Sequence, residues 1–143
     1  LSVIIGVGVD LIDIRRIEAV MARFGDRFIS RIFTPLERRH CERRAKPVNG
    51  FAMRYAAKEA CAKALGTGFR LGVFWRDIEV CPLPSGKPTL RLYRQASARL
   101  HQLTPEKQSL SVSVSLTDEY PYGQAVVIIA ACKEGDGTPN IGL

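Results

Sequence analysis

At 143 residues, 46% hydrophobic and 24% charged, the chain can enclose one hydrophobic core but not two ordinary domains. No apolar run approaches bilayer length, and the longest, Ala125 to Cys132, suits a buried strand. The net charge of +7, with basic clusters at Arg15–Arg16, Arg27–Arg31 and Arg38–Lys46, requires an acidic partner without naming its kind.

Val3–Val9, rich in Val and Ile, reads as a first strand. Asp13 then starts a helix whose apolar residues Ile14, Ile17, Val20, Met21 and Phe24 recur at helical spacing until Gly25. A short helical piece follows at Arg27–Phe33. Thr34-Pro35 with Glu37 has the form of a capping box and opens a helix to about Arg44. Pro47–Leu65 is the clearest helix, rich in Ala, Lys and Glu and ended by Gly66. Gly66–Gly72 is a loop. Val73–Cys81 and Thr89–Tyr93 read as strands joined across Ser85-Gly86, and Gln95–Leu103 as a short helix. Leu110–Leu116 alternates Ser with apolar residues, as a half-buried strand does, and Gln124–Cys132 is another strand beyond a turn at Pro121–Gly123. One domain is expected over 1–132, with a loose tail at 133–143. Helices mixed with hairpin-like strands predict an α+β fold.

Cys41, Cys61, Cys81 and Cys132 form no C-x-x-C pair, and only His40 and His101 could join them, so a zinc site is not expected. Leu1–Asp10 lacks a basic n-region and a cleavage site, which predicts no signal peptide and reduced thiols in a cytosol.

Three local patterns carry chemistry. In Gly6-Val-Gly-Val-Asp10 a carboxylate ends an apolar strand; it either caps the next helix or is free for another task, and Asp13 fits the capping role better. In the helix from Phe51 to Gly66, Glu59 and Lys63 are four apart and share a face with Gly66. They form either a surface ion pair or a metal ligand beside a phosphate-binding cation. Arg54 points roughly away from Lys63 on a helical wheel, so a ligand gripped by both lies between subunits. Ala56, Ala60 and Ala64 make one side of this helix narrow. In Ser113-Val-Ser-Leu-Thr-Asp-Glu-Tyr120 polar side chains line one strand face before two carboxylates. Neither a G-x-x-x-x-G-K-[ST] loop nor a full G-x-G-x-x-G fingerprint is present. A nucleic-acid-binding domain would also suit the charge, but the chain lacks an aromatic RNA-binding strand motif and zinc-finger spacing.

Taken in order, Gly6-Val-Gly-Val-Asp10, Arg54-Tyr-Ala-Ala-Lys-Glu-Ala-Cys-Ala-Lys63 and Ser113-Val-Ser-Leu-Thr117 resemble the holo-acyl-carrier-protein synthase family. Leu65–Gly68, Trp75–Glu79 and Ser85–Pro88 fall where that family has its equivalents, so the resemblance spans about Ile5 to Ala131. It implies helices packed on a small antiparallel sheet and a homotrimer with sites at subunit interfaces. It implies transfer of 4′-phosphopantetheine from coenzyme A to a serine of an acyl carrier protein, in the cytoplasm and in support of fatty acid biosynthesis. Neither nucleic acid nor membrane is an implied partner. Asp10 and Glu59 match the metal carboxylates, and Mg²⁺ suits two hard oxygen ligands beside a diphosphate. Lys63 is expected to donate to that diphosphate, Glu59 is the candidate base, and Arg54, Gly66, Lys87 and Ser113 are expected to contact coenzyme A. Arg16, Arg27, Phe28 and Arg31 match the positions that dock the acidic carrier protein. Two residues depart from the pattern: Asp118 stands where many members have His, and Ala62 where some have Ser. A broad-acceptance transferase of secondary metabolism is the nearest alternative within the superfamily.

Overall fold

The computed structural model describes residues 2–133. Strand β1 (Ser2–Asp13) leads into helices α1 (Ile14–Phe24), α2 (Asp26–Ile32), α3 (Pro35–Glu42) and α4 (Pro47–Leu65). A 3₁₀ turn at Trp75–Asp77 precedes β2 (Ile78–Pro82) and β3 (Pro88–Leu92), then α5 (Arg94–Leu103), β4 (Gln108–Glu119) and β5 (Tyr122–Lys133). The fold is α+β. One antiparallel sheet has the order β1-β5-β4, and β2 and β3 form a separate ribbon.

Local chemistry sets the helix ends. The Asp13 carboxylate accepts from Arg15 N at 3.0 Å and caps α1. Thr34 and Glu37 close the capping box reciprocally: Glu37 N donates to Thr34 Oγ1 at 3.3 Å, and Thr34 N to Glu37 Oε1 at 2.9 Å. Gly66 ends α4 in the left-handed region at φ 77°.

Helix α4 is the centre of the molecule. Its small residues Ala56, Ala57, Ala60, Cys61, Ala62 and Ala64 are buried, so it packs on nearly every side. Ile12, Val114, Val127 and Ile129 from the sheet and Ile14, Ile17, Ile29 and Phe33 from the flanking helices close around it. The glycines of β1 make the closest approach: a Cβ at Gly8 would run into the carbonyl oxygen of Ala60, and one at Gly6 into that of Ala64. The narrow alanine side and the Gly-Val-Gly motif are therefore one packing device.

Several boundaries differ from expectation. Strand β1 continues past Asp10 to Asp13, because its pairing with β5 runs on to Tyr122; Asp10 lies opposite Ala125 inside the ladder, not at its end. Val73–Asp77 is not strand: Asp77 accepts from Phe74 N at 3.1 Å and from Arg94 Nε at 2.6 Å, which closes a turn. Helix α3 stops at Glu42, short of Arg44. Lys133 is the last residue of β5 and not the first of a tail; the rest of the expected tail, 134–143, lies outside the described residues. All four cysteines are buried and unbridged.

Candidate functional site

Asp10 projects from β1 toward α4, on the same side as buried Gly8 and Ile12. There it meets the polar edge of α4. A pocket of about 570 Å³ is lined by Asp10, Leu11, Ile12, Arg16, Ile17, Val20, Phe28, Tyr55 and Glu59. Two carboxylates from distant segments thus face one cavity, with Arg16 as the basic residue among the lining side chains.

Lys63 does not pair with Glu59 across the helix turn. Its Nζ reaches back to β1 instead, donating to Val9 O at 2.9 Å and to Asp10 Oδ1 at 3.1 Å. The Lys63 side chain is half exposed while Asp10 is 16% exposed, so the cation covers the acid from the solvent side. The Glu59 carboxyl is raised above its ordinary value, first by burial and then by the negative charge of Asp10, with Lys63 opposing. One or two carboxylates completed by phosphate oxygens and water is a usual Mg²⁺ ligand set, and Asp10 and Glu59 supply the carboxylates at this pocket. Among the described residues no group of three or more His, Cys, Asp or Glu is placed to hold an ion, so any such site rests on this pair.

The remaining expected residues divide between this pocket and other surfaces. Arg16 and Phe28 line it, and Phe28 also packs on the core, with its ring 6.1 Å from Phe33 and 6.3 Å from Tyr55. Arg27 and Arg31 are exposed on α2. Gly66 is exposed at the end of α4, one turn beyond Lys63. Arg54 lies elsewhere, as the helical wheel requires. It lines a second cleft of about 550 Å³ with Arg44, Cys81, Gly86 and Pro88, and Lys87 sits exposed between the last two. Arg54 Nη1 donates to Gly50 O at 3.3 Å, and its buried Nε has no hydrogen-bond partner among the described residues. Ser113 is exposed on β4 opposite Ile128, on the sheet face turned away from α4. A single chain therefore does not bring Arg54 or Ser113 to the carboxylates.

Sequence reasoning missed three features. Tyr55 lines the carboxylate pocket one turn before Glu59, a spacing visible in the sequence. Its ring stacks on Trp75 at 4.6 Å, and Trp75 stacks on Phe69 at 3.7 Å. Arg44 joins Arg54 in the second cleft. Lys58 and Glu37 form an ion pair of 2.6 Å with both side chains fully buried, which no spacing rule announces.

Comparison with known proteins matches residues 6–124 to the family described as the 4′-phosphopantetheinyl transferase superfamily. A holo-[acyl-carrier-protein] synthase of Azorhizobium caulinodans is 56% identical over 137 residues, covering 96% of this chain and 99% of that one. The crystal structure of the holo-[acyl-carrier-protein] synthase from Neisseria meningitidis superposes with a TM-score of 0.78 at 38% identity, over 89% of this chain and 98% of that one. That of Helicobacter pylori, solved in complex with coenzyme A, gives a TM-score of 0.73 at 28% identity, over 86% and 98%.

Proposed function

Because this chain belongs to the 4′-phosphopantetheinyl transferase superfamily, and within it is similar over nearly its whole length to holo-acyl-carrier-protein synthases, we propose that it transfers 4′-phosphopantetheine from coenzyme A to a serine of an apo acyl carrier protein. The observation that carries the chemistry is the meeting of Asp10 and Glu59 at one pocket with Lys63 bonded to Asp10. Asp10 and Glu59 would hold Mg²⁺, which when bound would offset the charge of the diphosphate and polarise its phosphorus.

The chain's own residues do the rest. Lys63 has a third N–H beyond those given to Val9 and Asp10, free for a diphosphate oxygen. Glu59, directly or through a water, takes the serine proton. The serine oxygen bonds to the phosphorus that carries pantetheine, the P–O bond toward adenosine breaks, and adenosine 3′,5′-bisphosphate leaves. Arg54 and Lys87, on the second cleft, suit the 3′-phosphate of coenzyme A, with Gly66 and Ser113 as further contacts. Arg16, Arg27 and Arg31 orient the acidic carrier protein around Phe28.

Arg54 and the carboxylates lie on different faces of α4, which supports a site completed by a neighbouring protomer. The open sheet face supports the same reading. Val7, Val9, Leu11 and Ile128 are exposed there, and a homotrimer would cover them. The reaction belongs to fatty acid biosynthesis in the cytoplasm; no helix among the described residues is long and apolar enough to cross a membrane.

Mass spectrometry of an apo carrier protein incubated with coenzyme A, Mg²⁺ and this protein tests the reaction. The carrier gains about 340 Da, the mass of one phosphopantetheine added to a side chain. An unchanged mass would refute the reading.

A further inference from the structure

We propose that Lys58 is a positioning residue for this transfer: buried between α3 and the start of β2, its ammonium group fixes the rotation of α4 that brings Glu59 to Asp10. The inference rests on the activity proposed above.

Lys58 precedes Glu59 on α4 and points into the core, where it is fully buried. Its Nζ donates to Glu37 Oε1 at 2.6 Å, to Trp75 O at 3.1 Å and to Ile78 O. Every N–H of the ammonium is therefore used. Glu37 is held as firmly, accepting from Thr34 N at 2.9 Å on one oxygen and from Val80 N at 2.9 Å on the other. Thr34 Oγ1 continues the network to Glu79 at 2.6 Å, and Tyr93 OH joins Glu79 at 3.0 Å. One cation thus ties α4 to the start of α3, to the 3₁₀ turn and to β2.

Burial disfavours this charge and lowers the Lys58 pKa, while Glu37 opposes the shift. Replacing a buried ion pair by apolar residues of similar volume is often neutral for stability, so the pair is better explained by geometry. A turn of about 20° about a helix axis moves a side-chain tip, about 5–6 Å out, through roughly 2 Å. That breaks the bonds of Lys58 and separates two carboxylates meant to share one ion. The Trp75 carbonyl that Lys58 holds also carries the ring stacked on Tyr55, which lines the same pocket.

Two variants separate positioning from bulk stability. Lys58→Met leaves Glu37 charged and unpaired, and lowers Tm. Lys58→Met with Glu37→Gln removes both charges, keeps an acceptor for Val80 N while giving up that for Thr34 N, and returns Tm part of the way toward wild type. In this double variant the Mg²⁺ concentration that half-saturates the Tm rise seen with adenosine 3′,5′-bisphosphate is expected to increase about tenfold to 100-fold. The kcat falls in step, while KM for the carrier protein stays within about twofold of wild type, as expected for a lost orientation and an intact docking surface. Recovery of the wild-type Mg²⁺ requirement together with Tm overturns the proposal. A wild-type chain that responds to Mg²⁺ and nucleotide but moves no phosphopantetheine sinks the activity reading alone, and the Tm titration still decides the role of Lys58.

Discussion

The Glu59 carboxyl is raised above 4.5, so the fold holds its charged form less well than the unfolded chain does. The sign follows by linkage: the cost appears as pH rises through the unfolded value and is complete above the folded one. Glu59→Gln should therefore raise Tm modestly at neutral pH and leave it unchanged at pH low enough to protonate the wild-type acid, as thermal melts across pH would record. The same change removes the proposed ligand and base, so transfer should be lost. Asp10→Ala and Glu59→Ala should each lower kcat by about 10³-fold or more, the scale at which a preorganised charged group acts in catalysis, with circular dichroism unchanged. Full activity in both would sink the assignment of the pair. The resemblance in motif order singled out Asp10, Glu59 and Lys63, whereas helical spacing alone left Glu59 and Lys63 as an ion pair that the structure does not form. The bond from Lys63 to Asp10 was not legible, since it joins residues 53 positions apart and depends on how β1 lies against α4.

At the level of elements, the contact of β1 with α4 brings the two acids together, and Gly8 is its tightest point. Gly8→Ala should cost about 3 kcal/mol, the upper end of ordinary overpacking, because the obstacle is backbone and cannot rotate away. Urea unfolding would measure it, and a loss near zero would mean that the strand stands off the helix. Helix α4 was readable to the residue, because Pro47 and Gly66 act locally at its ends. The 3₁₀ turn at Trp75–Asp77 was not. Asp77 closes it locally on Phe74 N, but Lys58 and Arg94, which hold it, sit on other elements, and their bonds override the β propensity of Val, Phe and Trp.

For the molecule as a whole, the sheet has one face that the described residues leave uncovered. Across it Val7 lies opposite Ile128, which lies opposite Ser113, and Val9 follows the same line through Val126 to Ser115. Val7→Lys with Ile128→Lys should give a folded monomer where the wild-type chain runs as the proposed trimer, as light scattering on a sizing column would show; a monomeric wild type would refute the trimer, and an unchanged mass would place the interface elsewhere. The α+β class was legible from the order of elements. The split of the binding residues over two faces was only partly so: the wheel separates Arg54 from Lys63, but the place of Ser113 depends on β4–β5 register. Trp75 is the chain's single tryptophan, and it lies between Phe69 and a tyrosine whose edge borders the acidic pocket. The protein therefore carries its own optical probe: intrinsic fluorescence reports on one indole alone, and a nucleotide entering beside Tyr55 registers there without any label.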